Sequence, residues 1–207
     1  YFGKRAVQIM SGSHNCSVIN NIGFFGLNFY GRCDDGLIKG NHASISFHDS
    51  SRITVIENYI WDEGGSGLSI YPSEAHNNRI YHNVFLSYLS KYDDQGDDAY
   101  DAAGGNYWDN GYPSGGNYWT SCYNGVDAYS GSNQDLPGSD GIGDTPRSIY
   151  GKGNGCDRYP LMEPYMGNLP PTSPTVEGLK EGESGVEYEY TFNATDPDGD
   201  DIYYSVF

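Results

Sequence analysis

The chain predicts an all-β protein: a right-handed parallel β-helix with a capping segment, followed by the start of a β-sandwich. Three observations point there. Asn21, Asn41, Asn58 and Asn83 recur in the frame apolar-x-x-Asn-x-apolar or small, at intervals of 20, 17 and 25 residues. The four copies are Val18/Asn21/Gly23, Ile38/Asn41/Ala43, Val55/Asn58/Ile60 and Ile80/Asn83/Phe85. An alternating segment precedes each asparagine: Val7-Gln8-Ile9-Met10, Leu27-Asn28-Phe29-Tyr30, Ile45-Ser46-Phe47-His48 and Leu68-Ser69-Ile70-Tyr71. The composition, 29 Gly and 20 Tyr in 207 residues, suits short strands and tight turns. A repeat near 20 residues without helical periodicity marks a solenoid with one coil per repeat.

Each coil opens with the alternating segment, whose first and third residues are apolar, as in a strand with one buried face. From that third residue to the asparagine the distances are 12, 12, 11 and 13 residues. This leaves room for a turn, a second strand and a bend at the asparagine into a third strand. Asparagine tolerates the left-handed backbone region, which suits a bend. Coils stacked about 4.8 Å apart let like amides hydrogen-bond along the stack.

Coils fill residues 1 to about 104, although the frame fails after Phe85 and Tyr92-Asp93-Asp94-Gln95-Gly96-Asp97-Asp98 reads as an acidic loop. Residues 105–166 are glycine- and aromatic-rich. Gly105-Asn106-Tyr107-Trp108 returns eleven residues later as Gly116-Asn117-Tyr118-Trp119, and each Trp is expected to cover the open end of the solenoid. Residues 167–175 are a stiff, proline-rich linker. Beyond them Gly185–Phe192 alternates as a strand, Asp196-Pro197-Asp198-Gly199-Asp200 reads as a turn, and Ile202–Phe207 as a further strand. So few strands make no stable sandwich, so residues 176–207 read as a truncated domain. The chain starts at Tyr1 without a leader-like segment and reads as a piece of a longer protein.

The formal net charge is −17, which argues against nucleic acid or an anionic membrane face as a partner. No apolar run approaches the ~20 residues that span a bilayer. The four cysteines, Cys16, Cys33, Cys122 and Cys156, form no CxxC pair. Cys122 and Cys156 bracket one loop-rich segment and are the favoured bridge among three pairings, with buried free thiols as the alternative. Asn15-Cys16-Ser17 and Asn193-Ala194-Thr195 match the glycosylation sequon and agree with an exported, extracellular or cell-surface protein.

In the first strand of each coil the second and fourth residues should face outward. They form one polar column, Gln8, Asn28, Ser46 and Ser69, and one largely aromatic column, Met10, Tyr30, His48 and Tyr71. Aromatic rings bordered by amides and hydroxyls suit a polysaccharide. The longest link, with Trp61, Asp62 and Glu63, should overhang that face. A carbohydrate-binding strip of Tyr30, His48, Tyr71, Trp61 and Asn28 is therefore expected, the alternative being columns that only stabilise the stack. A glycosidase needs two facing carboxylates. The outward columns carry none, and Asp62 and Glu63 are weak catalytic candidates by position. Asp127, Asp135, Asp140 and Asp144 offer hard oxygen ligands in a glycine-rich segment and suggest calcium, or else a solvated acidic turn.

The asparagine coils followed by GNYWDNGYPSGGNYW, GSDGIGDTP and DRYPLMEP resemble the NosD-like branch of right-handed β-helix repeat proteins. The resemblance runs to about residue 166. The tail, from PPTSPTVEGL to DPDGDDIYYSVF, looks like the opening of an immunoglobulin-like module of the PKD type. After Trp119 the chain departs from the family, with Thr120-Ser121-Cys122 where a further acidic residue usually stands. The resemblance implies a pectin-lyase-like solenoid and an envelope location. It implies no single activity, since related coils serve lyases, glycosidases, epimerases and non-catalytic surface proteins. The family name is linked with copper, but His14 and His76 share one frame position three coils apart, too far for one ion. The expected role is thus a structural or adhesive surface module that binds glycans, with a polysaccharide-degrading enzyme as the alternative.

Overall fold

The computed structural model describes residues 5–61, 66–71, 74–86, 98–120, 123–167, 174–178 and 185–195. The described residues contain strands and turns and no helix. The chain divides into two compact units, Tyr1–Tyr165 and Met166–Phe207.

The first unit is a parallel β-helix. Strands β1 (Arg5–Ile9), β3 (Ile22–Tyr30), β5 (His42–His48), β8 (Leu68–Ile70) and β11 (Ala99–Asp101) pair in parallel, one per coil. A second sheet stacks β2 (Ser17–Ile19), β4 (Leu37–Lys39), β6 (Thr54–Ile56) and β9 (Arg79–Tyr81). The third strand of the coil is fused with the next coil's first strand in β3 and β5. It separates as β7 (Tyr59–Trp61), β10 (Val84–Leu86) and β12 (Tyr118–Trp119). Parallel crossovers of this kind are right-handed.

Register puts like residues over like. Leu27, Ile45, Leu68 and Ala99 form one inward row, and Phe29, Phe47 and Ile70 the next. Ile38, Val55 and Ile80 line the second sheet, and Ala43, Ile60, Phe85 and Trp119 the third side. All of these are buried. Each large apolar side chain removed from water stabilises the stack by roughly 1.5–3 kcal/mol.

The asparagines form a ladder inside this core. Asn21 donates its backbone N–H and its side-chain amide to Asn41 Oδ1 at 3.0 and 2.9 Å. Asn41 does the same to Asn58, and Asn58 to Asn83. The ladder continues into the glycine- and aromatic-rich segment, where Asn83 donates to Asn117 Oδ1. Asn117 then donates its backbone N–H to Asp157 Oδ2. A second, shorter ladder runs from the Ile53 N–H to Asn78 Oδ1 and from Asn78 to Asn106 Oδ1. The asparagines of the two Gly-Asn-Tyr-Trp copies are thus rungs of two different ladders.

One expectation is corrected. The left-handed residue at this corner is the one before the asparagine: Asn20, Gly40, Glu57 and His82 have φ between 56° and 66°. The asparagine is not selected for backbone tolerance. Its side chain turns inward and satisfies carbonyls of the corner, as Asn58 Nδ2 does with Ile38 and Ile56.

The two Trp side chains cover the end of the core. Trp119 stacks on Phe85 with centroids 4.1 Å apart, Arg147 lies over its other side at 4.4 Å, and Trp108 is fully buried. Short antiparallel pairs complete the segment: β13 (Tyr129–Ser130) with β14 (Leu136–Pro137), and β15 (Arg147–Ser148) with β16 (Cys156–Asp157). Cys156 is a free thiol, so the bridge favoured from sequence is not formed, and Cys122 lies outside the described residues. In the second unit, β17 (Thr175–Glu177) pairs antiparallel with β18 (Thr191–Asn193). The strand expected over 185–192 is realised only at its end. The turn at 196–200 and the strand at 202–207 lie outside the described residues.

Candidate functional site

The outward face of the first strands carries the two expected columns. Gln8, Asn28, Ser46 and Ser69 are in register, and Ser46 Oγ donates to Asn28 Oδ1 at 2.5 Å. Tyr30 pairs with His48 in the neighbouring row. Their rings stack at 4.6 Å and 26°, and His48 stacks on Tyr71 at 4.4 Å and 16°. Tyr71 then meets Tyr100 at 6.3 Å, and Tyr100 meets Tyr150 at 5.7 Å. His48 stacks with the rings of both neighbouring coils, whereas Tyr71 meets Tyr100 tilted at 59° and stays 40% exposed. The column thus offers a ligand phenol hydroxyls, an imidazole and the exposed part of the Tyr71 ring. Trp61 ends β7 in register with Leu86, in a neighbouring row rather than in the column. Asp62 and Glu63 lie outside the described residues.

Where the column residues end, the chain turns, and these turns line a cleft of about 660 Å³. Tyr30 leads into Gly31 and Arg32, His48 into Asp49, and Met10 into Ser11 and Gly12. His14, Asp34 and Glu74 complete the lining. Arg32 Nη2 donates to Glu74 Oε2 at 3.1 Å across the cleft. Asp34 Oδ1 accepts the Ser51 N–H, and its other oxygen lies 3.3 Å from Arg52. Arg52 also grips Asp35 through two bonds of 2.6 and 3.0 Å, and this holds the Asp35 carboxyl below the usual range. The cleft thus combines carboxylates, a guanidinium, an imidazole and a hydroxyl at the lip of the aromatic column. Its residues share no motif, so spacing gave no signal for it.

The acidic segment is built differently. Asp127 accepts the N–H groups of Asp140 and Gly141, Asp144 those of Ala128 and Tyr129, and Asp140 those of Gly131 and Ile142. These three carboxylates tie loops together through backbone amides, while Asp135 is exposed. Among the described residues no group of three or more His, Cys, Asp or Glu side chains is arranged to hold a metal ion.

The histidines are dispersed. His48 sits inside the aromatic column, His42 meets Tyr59 at 4.7 Å with the rings tilted by 38°, and His82 is buried against Tyr165 at 3.6 Å. His14 and His76 are exposed, and the Asp34 and Ser51 coils separate them. The buried Cys33 Sγ lies 3.2–3.4 Å from the carbonyls of Ile9, Met10 and Tyr30, one of which accepts its S–H, and burial pushes its pKa up.

The family described as periplasmic copper-binding protein (NosD) matches residues 4–125, more than half of the chain. Nothing among the curated proteins or the solved structures matches it.

Proposed function

The chain belongs to the NosD family of periplasmic copper-binding proteins, and from that premise we propose that it is an exported β-helix module whose outward face binds a glycan. What supports the reading is one juxtaposition: the Tyr30–His48–Tyr71 column leads directly into a polar cleft large enough for a sugar residue. Hydroxyl-rich ligands match a surface of phenol edges, carboxylates and a guanidinium, each of which donates or accepts hydrogen bonds. The β-helix supplies rigidity, since register with neighbouring coils fixes Asn28, Tyr30, Ser46, His48 and Ser69. No helix among the described residues is long and apolar enough to cross a membrane.

The copper of the family description finds no fitting donor set among the described residues. Copper favours gathered imidazole, thiolate or thioether ligands. Here the histidines are scattered over separate faces, and the Cys33 thiol is spent on carbonyls. The function proposed here therefore runs through no copper. The weak catalytic candidates for the enzyme alternative, Asp62 and Glu63, lie outside the described residues.

Glycan-array binding by the full chain tests the proposal. Binding is expected, and Tyr30→Ala with Tyr71→Ala should weaken it by about tenfold or more while the far-UV spectrum is kept. Absence of binding to any glycan, or equal binding by the double variant, contradicts it.

A further inference from the structure

Building on the reading of this face as a glycan site, we infer that the cleft selects uncharged glycans and that Glu74 is the specificity-determining residue. Arg32 is the one guanidinium among the residues that line the cleft. Guanidinium is the side chain best shaped to grip a carboxylate or sulfate, through parallel N–H donors. In this cleft it is already taken, because Glu74 accepts from it at 3.1 Å. The pair spans two coil spacings: Arg32 bonds Asp49 in the adjacent coil through its backbone, yet its side chain reaches past that coil to Glu74.

A uronate entering the cleft would have to displace Glu74 from Arg32 and then sit beside Asp34 and Asp49. The formal charge of −17 adds long-range repulsion of an anionic polymer. A sugar that carries only hydroxyl groups meets neither penalty. Its O–H groups donate to the carboxylates, and its oxygens accept from the remaining Arg32 N–H groups. Glu74 thus acts as an internal stand-in for the anion that the guanidinium would otherwise recruit.

The test is titration of the full chain with cellohexaose, xylohexaose, mannohexaose and hexagalacturonate, at one fixed salt concentration. The wild type should bind at least one uncharged hexasaccharide, and hexagalacturonate about tenfold more weakly or not at all. Glu74→Gln should raise the affinity for hexagalacturonate relative to the uncharged hexasaccharide by about fivefold, the scale of an exposed ion pair. Adding Arg32→Gln to Glu74→Gln should remove that gain. Tight hexagalacturonate binding by the wild type, lost with Tyr30→Ala and Tyr71→Ala, overturns the inference while the glycan site survives. No gain in a folded Glu74→Gln protein overturns the role of Glu74. Binding of none of the four ligands overturns this inference, and the glycan array then shows whether the glycan site falls with it.

Discussion

The backbone N–H of Asn117 donates to Asp157 Oδ2 at 2.8 Å, and there a ladder of amides that starts at Asn21 ends on a buried carboxyl group. Every rung points its N–H groups the same way, so the hydrogen bonds polarise one another and the last donor faces an acceptor of greatest strength. The Trp119 indole N–H and the Tyr159 N–H donate to the same carboxyl. Burial outweighs these donors and pushes the Asp157 pKa up to about 7.

That shift has a sign. Asp157 binds its proton more tightly folded than unfolded, so its contribution to stability is fully present below about pH 4 and is lost as pH rises through about 7. The whole span is worth about 4 kcal/mol at most. Asp157→Asn should flatten the pH dependence of the urea midpoint between about pH 4 and pH 7. An unchanged slope in the variant rules this group out as its source.

Asp109 shows the opposite sign. Its carboxyl is buried, which alone would raise its pKa, but the Arg158 guanidinium and the N–H groups of Arg158 and Gly111 outweigh burial and hold it below the usual range. The stability it contributes is present above the ordinary carboxylate pKa and lost as pH falls through the depressed value. Arg158→Gln should cost about 2 kcal/mol at neutral pH, since it leaves a buried carboxylate without its partner, discounted for the exposed guanidinium. Adding Asp109→Asn should recover much of the loss, as read by chemical denaturation. No recovery in the double variant contradicts the pairing.

The two glycines of the repeated Gly-Asn-Tyr-Trp motif do different work. Gly105 has φ of +69° and a Cβ there would meet His76 Cβ at an ordinary contact distance of 3.6 Å, whereas a Cβ on Gly116 would overlap the Asp157 carboxyl. Gly105→Asn should therefore cost under about 1 kcal/mol, because asparagine accepts left-handed backbone. Gly116→Asn should cost about 2–3 kcal/mol through overpacking at the end of the ladder. Thermal melts of the two variants check this, and equal losses would show that the motif has one role.

Removing His48 opens the aromatic column in the middle. His48→Ala should cost about 1–2 kcal/mol, from two stacked contacts, and weaken glycan binding. A melting temperature and an affinity both equal to wild type would mean that the column contributes neither stability nor recognition.

The coil architecture was readable because register repeats chemistry: Phe29 over Phe47, Ile38 over Val55. What failed to show in the sequence failed for physical reasons. Asn20, Gly40, Glu57 and His82 share a backbone conformation but no side-chain type, so the true left-handed position left no pattern. Asn117 follows Asn83 by 34 residues, an interval that hides the fifth rung, and Asn78 and Asn106 make too short a series to notice. The column of Tyr30, His48 and Tyr71 could be placed from alternation alone, but not the stacking of both tyrosines on His48. The cleft draws Arg32, Asp49 and Glu74 from turns of different length, where alternation carries no information.

The ladder holds the register that builds the face, and one comparison tests that directly: chemical denaturation of Asn83→Ala beside Asn21→Ala. Asn83 Oδ1 accepts two donors from Asn58 in the buried interior, whereas the exposed Asn21 side chain donates to Asn41 Oδ1 and to the Ile19 carbonyl. Asn83→Ala should lose about 3 kcal/mol or more, the cost of stranding those buried groups, and Asn21→Ala less than about 1 kcal/mol. Losses below about 1 kcal/mol in both variants would contradict the account.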